Sequence, residues 1–334
     1  MPFVIAEAGV NHNGDMDLAF QLVDKAVEAK VHAIKFQTFV TDQLVTKNAK
    51  AASYQKKNTG SEDQHSILRK LELSFGQFEE LHAYCQKSGI MFLSTPFDHK
   101  SAVFLTELGV EAFKISSGDL TNLPLIDIVA RAKKPLILST GMSTMDDIQC
   151  AVDIVTKHHR DLAILHCTSN YPVHPSNVHL RAMDYIGESY SEFPIGYSDH
   201  TEGITIPVAA VARGARIIEK HFTLDKDLPG PDHIASLDPR ELKSMMEAIE
   251  MTHLSLGEKT KEVLECEVPI KEIAQKGVVL ALDCKKGTVL SLDHLTIKRP
   301  QGKILPRDMV KVVGRELVRD MNADDVLDWS DFED

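Results

Sequence analysis

The sequence lacks the features that mark several large classes of protein. No apolar run approaches the roughly 18 residues of a transmembrane helix, and the start, MPFVIAEAGV, has no charged segment before its apolar residues. This start predicts a first strand and not a signal peptide. Five cysteines are scattered without a CxxC pair, which predicts free thiols in a reducing compartment and a cytoplasmic protein.

Positive charge is also scarce. The 334 residues include 37 Lys and Arg against 49 Asp and Glu, a formal net charge of −12 at pH 7, and no basic run stands out. This balance argues against nucleic acid or an anionic membrane surface as a partner. It would also repel an anionic small molecule at long range. Local Lys or Arg side chains, backbone N–H groups or a metal ion must therefore bind any such ligand.

What is present is an alternation of short apolar runs with longer helical patterns. The runs are rich in Val, Ile and Leu, and apolar residues recur with helical spacing between them. Eight such units in about 250 residues predict a (β/α)8 TIM barrel, an α/β fold. An open doubly wound sheet is the alternative, but no Gly-rich dinucleotide turn follows the first strand. The predicted strands are residues 3–6, 33–37, 91–94, 112–115, 135–139, 162–166, 194–198 and 217–221.

The pattern changes after the barrel region, residues 1–257. Asp238 can cap the last barrel helix, and Pro239 suits its first turn. Residues 258–270 are charged and indicate a linker. Residues 271–334 indicate a small β-rich domain, with short strands on both sides of a KKG turn and a third in HLTIKRPQGKILP. Its acidic tail, DDVLDWSDFED, is predicted to be mobile.

Polar side chains follow all eight predicted strands at their carboxyl ends, where the chemistry of (β/α)8 barrels takes place. Taken singly, each has an ordinary explanation, because Ser and Thr often cap helices and Lys often reaches to water. Their convergence on one face is the unusual feature. Lysines and hydroxyls together suit a phosphate or carboxylate. Two histidines from adjacent strands, His200 and His221, suit a divalent metal with open coordination positions.

Ten segments in order carry a family resemblance. They are EAGVNHNG, IKFQTF, YQKKNTG, FLSTPFD, KISSGDLTNLP, STGM, HCTSNYP, GYSDHTEG, EKHFTLDKDLPGPDH and IKRPQGKILP. Over nearly its whole length the chain thereby resembles the sialic acid synthase family. The resemblance implies a TIM barrel followed by a small antifreeze-like (SAF) domain. It also implies a domain-swapped homodimer in which that small domain caps the partner's active site.

The implied reaction joins phosphoenolpyruvate to an N-acetylated mannosamine-type aldose. C3 of phosphoenolpyruvate attacks the aldehyde, water adds at C2, and phosphate leaves by C–O cleavage. The resemblance also implies a divalent metal cofactor, Mn²⁺ or Mg²⁺, that polarises the aldehyde oxygen as a Lewis acid.

The resemblance assigns roles to individual residues. The expected metal ligands are His200 and His221, and the carboxyl groups expected to transfer protons and activate water are Glu7 and Asp119. Asn11 and His12 would brace the turn after the first strand. The phosphoenolpyruvate-binding residues would be Lys35, Thr95, Lys114, Ser117, Ser169 and Ser198, and the sugar-binding residues would be Gln37, Tyr171, Asp232 and, from the neighbouring subunit, Arg299.

Several interpretations stay open at this point. The leading one is an N-acetylneuraminate synthase that uses N-acetylmannosamine. Within the same class, the sugar would be 2,4-diacetamido-2,4,6-trideoxymannose and the product N,N'-diacetyllegionaminate; EAGVNHNG fits both and fits the pseudaminic branch poorly. A metal-dependent barrel hydrolase would expect an H-x-H pair where residues 11–13 read Asn-His-Asn. A non-catalytic carbohydrate-binding protein would leave the Lys, hydroxyl and His set unexplained.

Overall fold

The computed structural model describes residues 1–61 and 63–333, apart from the side chains of residues 53, 54 and 57. The chain forms two compact units, the first comprising residues 1–257 and the second beginning at residue 258. Within the described residues, none of the helices combines the length and the apolar composition that a bilayer crossing requires.

Eight parallel strands alternate with helices in the first unit. The strands are β1 Phe3–Gly9, β2 Ala33–Thr38, β3 Met91–Pro96, β4 Phe113–Ile115, β5 Leu136–Ser139, β6 Leu162–Cys167, β7 Ile195–Asp199 and β8 Ile217–His221. The sheet order is β3-β2-β1-β8-β7-β6-β5-β4, and the end strands β3 and β4 contact one another. The sheet is therefore a nearly closed barrel, which confirms the predicted fold.

Helices cover the outside of this barrel. They are α1 Met16–Glu28, α2 Thr41–Leu44, α3 Ser53–Thr59, α4 Gln64–Leu71, α5 Phe75–Ser88, α6 His99–Leu108, α7 Leu123–Arg131, α8 Met145–Thr156, α9 Arg181–Ser189, α10 Thr205–Ala212 and α11 Pro239–Leu256. The Asp238 carboxylate accepts from the backbone N–H of Glu241, so α11 starts where the capping residue predicts. Three short helices, α2 to α4, fill the connection between β2 and α5.

Strand periodicity decides what fills the barrel. Alternate residues of each strand point to the same side, and Ile5 of β1 and Leu93 of β3 belong to an apolar cluster contributed by the strands. Two residues further along the same strands lie Glu7 and Thr95, which are also buried. The inward-facing row thus changes from apolar to polar toward the carboxyl ends, and this change creates a polar layer at the mouth of the barrel.

The second unit has its own core. Helix α12, Val268–Ala274, spans residue 270, where the sequence predicts the linker to end. Strand β9, Gly277–Leu280, pairs antiparallel with β10, Leu295–Lys298. The predicted strand after the KKG turn is reduced to an isolated bridge between Val289 and Glu316.

The prediction of a mobile acidic tail is wrong for the residues that the structure describes. Leu327 and Phe332 lie buried in the core of the second unit. The Arg319 guanidinium also lies 2.8 Å from the Asp331 carboxylate. The tail is acidic in composition, but its two apolar residues pack into the core and hold it in place.

Candidate active site

A cavity of about 770 Å³ opens at the carboxyl ends of the barrel strands. Every site residue predicted from the sequence lines it except Asp119 and Arg299. The predicted residues that the structure brings together are Glu7, Lys35, Gln37, Thr95, Lys114, Ser117, Ser169, Tyr171, Ser198, His200, His221 and Asp232.

Lys35 anchors one side of the cavity base. Its strand pairs with β1 so that Lys35 lies directly beside Glu7. The Lys35 Nζ atom is 2.8 Å from Glu7 Oε2 and donates to Thr95 Oγ1 at 3.1 Å. Gln37 Nε2 donates to the other oxygen of Glu7, Oε1, at 3.0 Å. All four side chains converge because alternate positions of three adjacent strands face inward.

Lys114 occupies the other side of the base. Its Nζ atom donates to Ser139 Oγ at 2.6 Å and to the carbonyl of Ile115 at 2.8 Å. Glu219 links the two lysines, with one oxygen 3.8 Å from Lys35 Nζ and the other 4.0 Å from Lys114 Nζ.

The four buried charges affect one another. Burial raises the pKa of Glu7, and Lys35 offsets this only in part. Burial opposes ionisation of Glu219 as well, but Lys114 and Lys35 together bring its pKa below the ordinary value. Burial lowers the pKa of Lys114. When all four groups are ionised their charges cancel, so binding of a phosphate here requires an added proton or cation.

Two imidazole rings lie beside this base. The ring centroids of His200 and His221 are 5.2 Å apart, and the Tyr171 ring lies 4.1 Å from that of His200. His200 Nδ1 donates to the carbonyl oxygen of Thr168 at 2.8 Å, so Nε2 is the nitrogen that the neutral ring could offer to a metal. Burial opposes protonation of His200, but Cys167 and the Thr168 carbonyl raise its pKa above the ordinary value. Burial, with His200 nearby, lowers the pKa of His221 and keeps its ring neutral.

The histidine pair fits a divalent metal that has open positions. Neutral imidazole is the form that binds metals, and His221 Nδ1 is buried with no hydrogen-bond partner in the described part of the chain. Among the described residues, no three His, Cys, Asp or Glu side chains converge as a metal site. A metal held by these two histidines would take its other ligands from water or substrate.

A buried ion pair lies next to the histidines in sequence. Lys220 Nζ is 2.6 Å from Asp199 Oδ2, and both side chains are fully buried. The Asp199 carboxylate also accepts from the Tyr197 hydroxyl at 2.7 Å and from the Thr201 hydroxyl at 2.8 Å. Asp199 and Lys220 are paired in register between β7 and β8, so this network ties together the strand ends that present His200 and His221.

The hydroxyl groups of Ser117 and Ser169 both lie close to Gly141. The backbone N–H of Gly141 donates to Ser117 Oγ at 3.0 Å, and Ser169 Oγ is buried without a partner among the described residues. A Cβ atom at position 141 would collide with both hydroxyls. Glycine at position 141 thus leaves room for both hydroxyls.

Comparisons with known proteins agree with this geometry. The NeuB family matches residues 22–261, and the SAF domain matches residues 275–333. The chain belongs to the NeuB family. Its predicted resemblance to sialic acid synthases, its SAF domain and its nature as a carbohydrate-synthesising enzyme are thereby confirmed.

Individual relatives span almost the whole chain. The N,N'-diacetyllegionaminic acid synthase of Legionella pneumophila is 43% identical, covering 99% of this chain and 94% of that protein. The human N-acetylneuraminate-9-phosphate synthase is 36% identical, covering 97% and 91%. A crystal structure of the N-acetylneuraminic acid synthetase of Leptospira borgpetersenii superposes with a TM-score of 0.71 at 37% identity, covering 80% of this chain and 90% of that one.

Two predicted residues of this NeuB-family chain lie elsewhere. Asp119 sits on a short 3-10 turn outside the cavity lining, and its carboxylate accepts from Ser116 Oγ at 3.2 Å and Asn122 Nδ2 at 3.0 Å. Burial raises its pKa. Arg299 is exposed in the second unit, directly after β10. The Asp119 carboxylate is therefore satisfied locally and lies outside the cavity lining, and its role in proton transfer stays a prediction.

The turn after β1 is braced in the way that the sequence predicts. Asn11 Nδ2 donates to the carbonyl of Phe222 at 2.8 Å and to Ser236 Oγ at 3.0 Å. His12 Nδ1 accepts from the backbone N–H of Gly14 at 3.0 Å. His12 does not line the cavity, so this turn gives no support to the hydrolase interpretation.

Sequence reasoning did not assign a role to several residues of the cavity. One of them is Glu219, which links both lysines. Ser139 and Cys167 also line the cavity. The alternation of strand residues could have identified them, because each lies two residues beyond an inward-facing apolar residue of its strand and so faces inward as well.

Proposed function

We propose that the chain condenses phosphoenolpyruvate with an N-acetylated mannosamine-type aldose, forming a nine-carbon 2-keto acid and phosphate. The observation that carries this proposal is the pair of buried lysines, Lys35 and Lys114, on either side of Glu219 and next to two histidines. Phosphoenolpyruvate carries a phosphate and a carboxylate, which the lysines would bind. The aldose carries an aldehyde, which a cation held by the histidines would polarise.

The lysines and hydroxyls would bind phosphoenolpyruvate. Lys35 and Lys114 would each exchange part of their contact with a glutamate for a charge-assisted hydrogen bond to phosphate or carboxylate. The hydroxyl groups of Ser169 and Ser117 over Gly141 would donate to the same ligand, and this would satisfy the buried Ser169 oxygen. Thr95 and Ser198 would add two more hydroxyl groups to the phosphoenolpyruvate-binding residues.

The histidines would hold a divalent cation, Mn²⁺ or Mg²⁺. When bound, such an ion supplies Lewis-acid polarisation of the aldehyde oxygen. Its charge would also compensate a phosphate that enters a base in which the lysine and glutamate charges cancel.

Glu7 would transfer the proton that the condensation requires. Burial raises the pKa of Glu7, so this carboxyl group would hold a proton at higher pH than an exposed glutamate and would deliver it to the aldehyde oxygen as C3 attacks the adjacent carbon. Gln37, which donates to Glu7, would fix its orientation beside the sugar. Water then adds at C2 and the C2–O bond breaks, releasing phosphate and leaving the 2-keto acid.

The second unit would complete the site from another copy of the chain. We propose, on the family resemblance, a domain-swapped homodimer in which Arg299 reaches the partner's sugar. Exposure of Arg299 on the second unit supports this, because an exposed arginine is available to contact a second chain.

Phosphate release tests the proposed function. The purified full chain is mixed with phosphoenolpyruvate, Mn²⁺ and N-acetylmannosamine or 2,4-diacetamido-2,4,6-trideoxymannose. We expect release that needs both the aldose and the cation, and that is lost in His221→Ala while the melting temperature stays within a few degrees. Release without any aldose, or full activity of His221→Ala, would contradict the proposal.

A further inference from the structure

A loop between β8 and α11 carries Asp232 to the mouth of the barrel. We call residues 229–236 the Asp232 loop. Asp232 is buried, lines the cavity and directly precedes a short 3-10 turn, His233–Ala235. Because a loop is more mobile than a strand, contacts with neighbouring elements must hold the Asp232 carboxyl group where a ligand can meet it.

His233 joins this loop to the turn after β1. Its side chain is fully buried, with Nε2 3.2 Å from Asn13 Oδ1 and Nδ1 2.7 Å from Thr223 Oγ1. The amide oxygen of Asn13 can only accept, so Nε2 carries the ring proton and Nδ1 accepts from the Thr223 hydroxyl. Burial lowers the pKa of His233 to about 4, which keeps the ring neutral. Both ring nitrogens are therefore satisfied, and this fixes the orientation of the ring.

The backbone of the Asp232 loop packs directly on this hydrogen-bonded pair. A Cβ atom at position 230 would lie 2.6 Å from His233 Cδ2 and 2.9 Å from Asn13 Oδ1. Only glycine fits there without displacing the two side chains. The loop and the Asn13–His233 pair therefore form one packed unit.

Asn13 presents its amide oxygen from a fixed backbone. Its φ of 52° lies in the left-handed region, which Asn adopts more readily than most residues. The Asn13 N–H donates to the carbonyl of Val10 at 3.0 Å. A Cβ atom at the next position, Gly14, would collide with the carbonyl oxygen of Lys70, so the turn also packs closely against the end of α4.

A second contact holds the other end of the 3-10 turn. Ser236 Oγ donates to the carbonyl oxygen of Asp232 at 2.8 Å and accepts from Asn11 Nδ2 at 3.0 Å. Asn13 and Asn11, from the same turn after β1, thus hold the 3-10 turn at its first residue and just beyond its last residue.

We infer that Asn13 and His233 position the Asp232 carboxyl group for the aldose. This inference rests on the proposed function, in which Asp232 contacts the sugar. Asn13 and His233 are not among the described residues that line the cavity, so they are positioning residues and not catalytic ones. The lysines proposed to bind phosphoenolpyruvate lie on β2 and β4, which the Asn13–His233 hydrogen bond does not involve. Its loss should therefore weaken use of the aldose selectively.

Two variants of Asn13 separate the hydrogen bond from the backbone conformation. Asn13→Gly removes the acceptor and suits the left-handed region, whereas Asn13→Asp keeps an oxygen acceptor on a residue that tolerates this region. The full chain is assayed with phosphoenolpyruvate, Mn²⁺ and whichever of N-acetylmannosamine and 2,4-diacetamido-2,4,6-trideoxymannose gives the higher activity. We expect Asn13→Gly to raise the KM for the aldose about five- to tenfold, as the loss of one hydrogen bond would, and to leave the KM for phosphoenolpyruvate unaltered. Asn13→Asp should stay close to the parent.

Two further chains show whether the effect passes through Asp232. Lys133→Gly is the matched control, because Lys133 is exposed and has a φ of 51°, and it should leave both KM values unchanged. In a chain that already carries Asp232→Asn, adding Asn13→Gly should raise the KM for the aldose by about twofold or less, since the two changes remove the same interaction.

The outcomes distinguish the inference from the proposed function. The inference is overturned, and the synthase activity stands, if Asn13→Gly leaves the KM for the aldose unchanged or raises both KM values equally. The same holds if Asn13→Asp is as impaired as Asn13→Gly, or if the full rise persists in the Asp232→Asn chain. Absence of phosphate release by the parent with either aldose would overturn the proposed function, and the inference with it.

Discussion

At the scale of single residues, the cavity base combines buried charges that cancel when all are ionised. Lys114 is the clearest example, because its ammonium group is buried and reaches Ser139, a backbone carbonyl and, at 4.0 Å, Glu219. Burial lowers the pKa of Lys114, and an anion bound beside the ammonium group would stabilise its charged form. The proposed phosphoenolpyruvate site would place such an anion there.

Replacement of Lys114 should weaken phosphoenolpyruvate binding. In Lys114→Met we expect the KM for phosphoenolpyruvate to rise by about thirty- to a hundredfold, since a charge-assisted hydrogen bond in a buried site contributes about 2–3 kcal/mol. Steady-state kinetics at saturating aldose measures this. Lys25→Met, on the exposed face of α1, is the control. A KM for phosphoenolpyruvate that matches the parent would show that Lys114 does not contact this substrate.

His12 makes the stability of the barrel depend on pH. Burial lowers the pKa of His12 to about 4, against about 6.5 for an unperturbed histidine. Between these values the unfolded chain binds a proton that the folded chain excludes. Stability is therefore fully present above about pH 6.5 and is lost as the pH falls toward 4.

The variant His12→Asn should reduce this dependence. Asn can still accept from the Gly14 N–H but does not titrate. Between pH 7 and 4.5 we expect the parent to lose about 2 kcal/mol more unfolding free energy than His12→Asn. Urea unfolding at several pH values measures the difference, and His253→Asn, at an exposed histidine of α11, is the control. Equal slopes in parent and variant would mean that the pKa of His12 is the same in the folded and the unfolded chain.

At the scale of elements, the strand ends decide which side chains meet. The order of strands and helices was predictable because buried parallel strands read as continuous apolar runs, and β8 has the predicted bounds. The inward polar row was predictable for Lys35 and Thr95. Asp119 was not, since a turn after the short strand β4 directs its carboxylate to Asn122, and this depends on turn geometry that strand period does not encode.

The fold of the second unit was also less predictable, because little of it follows from the periodicity of strands and helices. Its strands are short and its core is assembled from separated segments such as β9 and the tail around Phe332. Long-range contacts of this kind leave no periodic signal, so the sequence does not show that this charged tail packs into the core.

The buried pair Asp199–Lys220 should stabilise the ends of β7 and β8. In Lys220→Met the Asp199 carboxylate stays buried without its cation, and we expect a loss of about 3–5 kcal/mol in unfolding free energy. The double variant Asp199→Asn/Lys220→Met should recover part of this loss, because neither buried charge remains. Urea unfolding of the parent, the single variants and the double variant measures the coupling. Strictly additive single losses would show that the two side chains do not interact.

At the scale of the whole molecule, the proposed swapped dimer predicts that two inactivating variants can complement each other. Arg299→Ala removes the sugar contact of the second unit, and His221→Ala removes a proposed metal ligand of the barrel. In a swapped heterodimer one of the two sites combines an intact barrel with an intact second unit. Random pairing makes about half of the dimers heterodimers, so co-expression should restore about a quarter of the parent activity, and the purified heterodimer should show about half.

The heterodimer must be shown to form, which two different affinity tags allow. If it forms and its activity equals that of the separate variants, Arg299 acts within its own chain or outside the site, and the swapped arrangement is incorrect for this protein.

The fate of one oxygen atom tests the proposed condensation most directly. Phosphoenolpyruvate labelled with ¹⁸O in the oxygen that bridges C2 and phosphorus is turned over with Mn²⁺ and the preferred aldose, and both products are analysed by mass spectrometry. The account predicts that the label leaves with phosphate, that the 2-keto sugar acid is unlabelled, and that the two products form in equal amounts. Label retained in the sugar acid, or labelled phosphate formed without any sugar acid, would contradict it.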